Sequence, residues 1–397
     1  MNLFRTEDLH LNEYNIGFSG MTEELFSAYV STRFAKQDES ILIVTPSLFE
    51  ANKLYNTISN YTNDVFFFPM DDFLTSEAIA KSPDLMVTRL ETLNTLVMGK
   101  RSIVVTHLMG YLHFLPSVEL YRKSILHLKV GEDYDREKLV EDFYNLGYVR
   151  ETLVTQTGEV GVRGFVLDIF PVGEEHPVRL EFFGDTIDSI RIFDEETQKS
   201  LQEVNTIDIY PYSDFLLEHY QEDLPRKQKY LSIYNSKVAS IFDYMDDPVV
   251  IFKDYSHIES LYQKTQEETF EYRISKDNDY KGTYFFELEK ILPNKELYYF
   301  TIDNYDATLH LDHLYSFDSR EVPKFNENIE ALNKFLKEQL DYGRTIVICL
   351  KDYQRKRIIS YLEVPYVLSD LGQIEEHQLN LVVHSISQGF YYGHYVF

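Results

Sequence analysis

The sequence predicts an α/β protein, a parallel-sheet domain interrupted by an α+β insert and followed by a smaller α/β unit. Three observations carry this. Continuous apolar runs alternate with helical-spacing segments over the first 115 residues, a cluster of strands without intervening helices fills the middle, and the βα rhythm then returns. Parallel strands buried on both faces read as unbroken apolar runs, and helices between them supply right-handed crossovers.

In order along the chain, Thr22-Glu23-Glu24 opens a helix whose apolar positions are Leu25, Phe26, Tyr29, Val30 and Phe34. Ile41–Thr45 is a buried strand, Pro46-Ser47 stops it, and Leu48, Ala51, Leu54, Tyr55 and Ile58 follow at helical spacing. Val65–Phe68 and Ile103–Thr106 are further strands, with a helix carrying Leu85, Leu90, Leu93 and Leu96 between them. Past Pro116 the pattern changes. Ile125–Val130 alternates, Asp135 caps a helix that Gly147 ends, and strands are expected at about 149–156, 162–170, 178–183 and 187–193. Phe183-Gly184-Asp185-Thr186 is a two-residue hairpin signal of the Gly-X type. From about 206 the βα units resume with Val249–Phe252, a helix near 256–270, a polar loop over 271–283 and the strand 297–301. A last unit has helices at 326–341 and 352–362 around the strands 345–350 and 379–384. The expected domains are 1–116, 117–205, 206–318 (completing the first) and 319–397. The chain closes on Gly393-His-Tyr-Val-Phe397, an apolar end that reads as a boundary within a longer protein.

The chain is 397 residues, with 38 Lys and Arg against 65 Asp and Glu, a formal net charge of −27. A free-standing nucleic-acid binder needs clustered cations to neutralise phosphates, so that class is disfavoured. With 44% apolar residues the chain holds real cores. Its single cysteine, Cys349, rules out an internal disulfide and a cysteine zinc site, and reads as a small buried hydrophobe within a strand. Residues 1–20 lack a signal-peptide run and no stretch approaches the ~20 apolar residues of a membrane span. The expectation is a cytoplasmic protein with no membrane partner.

Ahead of the first helix, Asn15-Ile-Gly17-Phe-Ser-Gly20-Met21-Thr22 matches part of the phosphate-loop pattern G-x-x-x-x-G-K-[ST]. The second Gly and the Thr are in register, but Asn15 stands at the first Gly and Met21 at the Lys. A methionine supplies no charge to a phosphate. The expected fold is therefore a degenerate P-loop NTPase-like domain, or a plain Gly-bearing loop before a helix, with no catalytic residue and no metal site. His107 and His113 read as packed or solvated rather than ligating.

The inserted strands offer a different signal. In Val178-Arg179-Leu180-Glu181-Phe182-Phe183 alternation puts Val178, Leu180 and Phe182 on the core face, and Arg179, Glu181 and Phe183 on the other. Arg163, in the preceding strand, is expected near Arg179. Arg beside an aromatic on an open sheet is the composition of a protein-binding hot spot, and guanidiniums suit an acidic partner patch. The competing reading is that another domain covers Phe183 and that the arginines form internal salt bridges.

The runs Tyr121–Tyr134, Leu146-Gly-Tyr148, Arg163-Gly164, Asp168-Ile-Phe-Pro171, Arg179–Asp185, Ile187–Arg191 and Phe193-Asp194 resemble domain 2 of the excision-repair protein UvrB and of the bacterial transcription-repair coupling factors, the Mfd family. Met21 and the short connection from Phe68 to Pro83, where UvrB has a long β-hairpin, favour the coupling factors. The resemblance implies UvrB-like domains 1a, 2 and 1b plus domain 3, with UvrA binding on Arg163, Arg179 and Phe183 and with Glu181 as a neighbour. It further implies a non-catalytic fragment without cofactors. In that family ATP and magnesium belong to motor domains absent here, RNA polymerase and DNA are bound by other absent parts, and the motor half covers domain 2 in the intact protein. The alternative is a UvrB-like DNA helicase or ATPase acting directly on damaged DNA.

Overall fold

The computed structural model describes residues 4, 9–10, 13, 15–72, 82–219, 221, 224–291, 297–300, 311–326 and 328–397. The connection 73–81, on which the comparison with the UvrB hairpin rests, lies outside the described residues.

The apolar runs form the middle of a seven-stranded, all-parallel sheet. Its order is His313–Ser316, Ile16–Ser19, Leu297–Phe300, Val249–Lys253, Ile41–Thr45, Ile103–His107, Val65–Phe68. Strands from both sides of the insert thus interleave in one sheet. The helices Glu23–Lys36, Leu48–Ile58 and Pro83–Val97 connect its strands. Thr22 caps the first through the Leu25 amide, and a Ser47–Glu50 capping box starts the second. The helix Tyr255–Lys276 runs six residues beyond the expected end, through 271–276. Tyr272 packs edge-on against Tyr284 and Arg273 donates to the Gly282 carbonyl, so tertiary contacts hold turns that polarity alone marks as loop.

The insert is a six-stranded sheet in the order Ser200–Val204, Thr186–Phe193, Val178–Phe183, Val166–Ile169, Glu159–Arg163, Val149–Arg150, antiparallel except for the last pair. The single strand expected over 162–170 is two strands. Gly164, at φ +56°, turns the chain between them, a conformation open to glycine at little cost. Only residues 149–150 of the expected strand 149–156 pair. Thr206–Ile209, read as the start of the returning βα units, instead pairs antiparallel with Leu126–Lys129. One apolar cluster runs from Leu42 and Val104 in the parallel sheet through Phe143 to Val178 and Leu180, so insert and sheet share a core.

The last unit centres on Thr345–Leu350, parallel to Leu379–Val383 and to Tyr395–Val396. Cys349 lies in that strand but is half-buried rather than enclosed, and burial pushes its thiol up to about 12. This unit meets the first helix at Glu24, a buried carboxylate that accepts from the Ser387 and Gln388 amides at 3.0 and 3.2 Å and from the Tyr61 hydroxyl at 2.7 Å.

Burial pushes the Glu24 carboxyl above its ordinary 4.5, against the pull of these donors. A carboxyl raised in the folded state contributes stability that is present below its unfolded pKa and is lost as pH rises through the folded one. Raising pH from about 4.5 should therefore loosen this junction in the native chain more than in Glu24→Gln. Urea denaturation at stepped pH measures it, and parallel slopes for the two chains would contradict it.

Candidate functional site

The strand Val178–Phe183 is the centre of the site, because its alternation is realised in the fold. Val178, Leu180 and Phe182 are buried in the shared core, while Arg179 and Glu181 are partly exposed on the opposite face. Register places Arg179 directly across from Asp168 on one side and Arg191 on the other. Arg163 pairs with Val166, which puts it on the same face two positions from Asp168.

Asp168 is fully buried and is the common acceptor. Arg179 donates from Nε to Oδ1 at 2.7 Å and from Nη2 to Oδ2 at 2.9 Å, a bidentate pair, and Arg163 donates from Nη2 to Oδ2. Arg179 also donates to Gln198 Oε1 at 3.1 Å, and its guanidinium lies 4.4 Å from the centre of the buried Phe193 ring. The hydrogen bonds to Asp168 push the Arg179 guanidinium further up from its ordinary value. Glu181 takes a separate partner, Arg191, at 3.3 Å, and accepts from Ser189 at 3.0 Å. The arginines therefore do form internal salt bridges, as one of the two sequence readings required. They are not thereby hidden, since Arg163 retains 48% of its side-chain exposure and Arg179 20%.

Phe183 ends the strand at 83% exposure, so none of the described residues covers it. Phe183 and Thr186 close the two-residue hairpin, with Gly184 at φ +65°. A bulge between Glu181 and Phe182 adds local twist just before the ring. The result is a large apolar side chain at a hairpin tip, on the sheet face that also carries guanidiniums held by a buried carboxylate. Chemically this face offers an aromatic anchor and oriented N–H donors.

Sequence reasoning singled out Arg163, Arg179, Glu181 and Phe183 and passed over Asp168, Gln198 and Arg191, which the structure joins to Arg163, Arg179 and Glu181. The signal for Asp168 was present: an acidic residue between Leu167 and Ile169 in a strand must sit on the face shared with Arg179.

The Asn15–Thr22 segment differs from the loop the sequence suggested. Ile16–Ser19 is a strand inside the parallel sheet, paired on both sides, and only Gly20 and Met21 turn the chain before the Thr22 cap. Asn15 sits at φ +50° and its carbonyl accepts from the Asp312 amide. A Cβ on Gly17 would lie 2.5 Å from Leu311, and one on Gly20, at φ +73°, 2.0 Å from the Phe317 carbonyl oxygen. Met21 is buried and Thr22 Oγ1 is within 3.1 Å of Ser319 Oγ. Residues 316–319 thus pack directly on the turn, because a register-forming neighbour strand, unseen in periodicity, continues past it. His107 and His113 are both buried, the first against the Met70 backbone and the second against Asp214.

Residues 126–215 match the family model described as the UvrB interaction domain. The inserted sheet thus matches an interaction-domain family and is carried on an α/β chain. Over 98% of its length the chain is 24% identical to a transcription-repair-coupling factor of Staphylococcus epidermidis, and over 97% it is 25% identical to one of Staphylococcus aureus. The chain spans 38% of the length of these relatives. It is similar, nearly end to end, to the UvrB-like amino-terminal region of the transcription-repair coupling factors. No helix among the described residues is long and apolar enough to cross a membrane.

Removing one partner of a buried ion pair leaves the other charge uncompensated. Asp168→Asn should therefore destabilise the inserted sheet by about 3 kcal/mol. Arg163→Ala, half-exposed and with Arg179 still in place, should cost about 1 kcal/mol or less. Urea unfolding of both variants tests the ranking, and equal costs would refute Asp168 as the common anchor.

Proposed function

We propose that this chain is the recruitment module of a transcription-repair coupling factor, docking UvrA through Phe183, Arg179 and Arg163, with Glu181 at the rim. The observation that carries the reading is Phe183, 83% exposed on a hairpin tip inside a UvrB interaction domain. A large aromatic left in water on a face that also carries Arg163 and Arg179 is the composition of a binding hot spot. The chain itself is read as non-catalytic: in the segment resembling a phosphate loop Ile16–Ser19 is a strand, Met21 at the lysine position is buried in the turn after it, and the Phe317 backbone packs on Gly20. In the whole protein, ATP and magnesium serve a downstream motor that translocates on DNA and displaces RNA polymerase. That motor half masks the docking face until the polymerase is engaged.

Phe183→Ala is the cleaner test, because the ring is exposed while Arg179 also holds the sheet together. Calorimetric titration with UvrA should show about 30-fold weaker binding for Phe183→Ala and at least that for Arg179→Glu, about 2 kcal/mol each. Unchanged affinity in both variants would reject the assignment.

A second expectation concerns turnover. The purified chain with DNA should hydrolyse ATP at no more than the background rate, and introducing Met21→Lys should not restore activity, because the turn is packed against residues 316–319. Robust hydrolysis by the native chain would support the helicase reading instead.

A further inference from the structure

The hairpin that carries Phe183 has a second side. There, a cleft of about 430 Å³ lies between the hairpin tip and the start of the helix Arg136–Asn145, lined among others by Asp133, Arg136, Glu137, Phe165 and Asp185. Phe165 is 62% exposed. Its position is fixed from two directions. Its carbonyl accepts from the Phe182 amide at 2.9 Å, and the Arg136 guanidinium, which donates to the Gly164 carbonyl, lies 5.2 Å from the ring centre.

Phe165 stands opposite Phe182 on the helix-facing side of the sheet, so the two exposed rings, Phe165 and Phe183, flank one hairpin from opposite faces. The charge also changes sign across it. The Phe183 face carries Arg163, Arg179 and Arg191 against Asp168 and Glu181, whereas the cleft carries Asp133, Asp135, Glu137 and Asp185 against Arg136. Asp133 accepts from Thr186 and Asp135 caps the helix, but Glu137 and Asp185 have no side-chain partner among the described residues.

We infer that the partner straddles the 183–186 hairpin, placing acidic groups on the arginine face and inserting a Lys or Arg beside an apolar side chain into the Phe165 cleft. This rests on the docking reading above and adds the chemistry of the partner's second contact. The cleft is continuous with the Phe183 face through Gly184 and Asp185. Its carboxylates complement a cation, and its exposed, immobilised ring offers an aromatic anchor of low entropic cost.

Titration of UvrA into native chain, Phe165→Ala, Asp185→Asn and Asp185→Lys, with Phe183→Ala as reference, tests this. Phe165→Ala should bind about 5- to 10-fold more weakly, and Asp185→Lys at least about 10-fold more weakly with a loss that shrinks at high salt. The isosteric Asp185→Asn should fall between native chain and Asp185→Lys, with circular dichroism and thermal midpoint unchanged. Native affinity in all three cleft variants while Phe183→Ala binds weakly would overturn the two-sided grip and leave the docking reading standing. Failure of the native chain to bind UvrA would overturn both.

Discussion

The site depends on one carboxylate. Asp168 is fully buried within a sheet, and a buried carboxylate is tolerated only when cations and hydrogen bonds compensate it. Arg179 does so bidentately and Arg163 adds a further donor. The compensation runs both ways, since the same contacts fix two long side chains whose rotamers are otherwise free in water. A partner meeting this face finds guanidinium edges already placed. The charge left over is small, because Asp168 offsets one of its two arginines and Glu181 offsets Arg191. In the proposed docking, on a chain of net charge −27, such a face would be recognised by geometry and exposed rings rather than by a long-range field.

The two parts of the chain are built differently for a physical reason. The parallel sheet is buried on both faces and is closed around its first strand, with residues 313–319 packed along Ile16–Gly20. The insert exposes one face of an antiparallel sheet and leaves a hairpin tip in solvent. A shared core joins them, so the tip is presented on a rigid base rather than on a tether.

Much of this was legible in the residues. The alternation of Val178–Phe183 gave the faces of the sheet directly, and the Gly-Asp step gave the hairpin, because both are local. The continuous runs at 41–45, 65–68 and 103–106 identified buried parallel strands for the same reason. What stayed hidden depends on partners distant in sequence. Ile16–Ser19 looks like a loop because it is short and flanked by glycine, and it becomes a strand only through register with 297–300 and 313–316. The turn at Gly164 was masked by apolar residues on both sides. The helical turns at 271–276 are held by Tyr284 and Gly282, which no local periodicity reveals. Phe165 drew no notice, since in a strand it would have been an ordinary core residue, and only the turn beside it brings it to the surface.

Amide hydrogen exchange, with and without UvrA, addresses the central claim directly because it reads every segment at once. UvrA should slow exchange in the strand ends and turns spanning 163–168 and 179–186, leaving the Ile16–Thr22 segment unchanged. Protection confined to the parallel sheet, with the hairpin exchanging as in the free chain, would contradict a docking site built on Asp168 and Phe183.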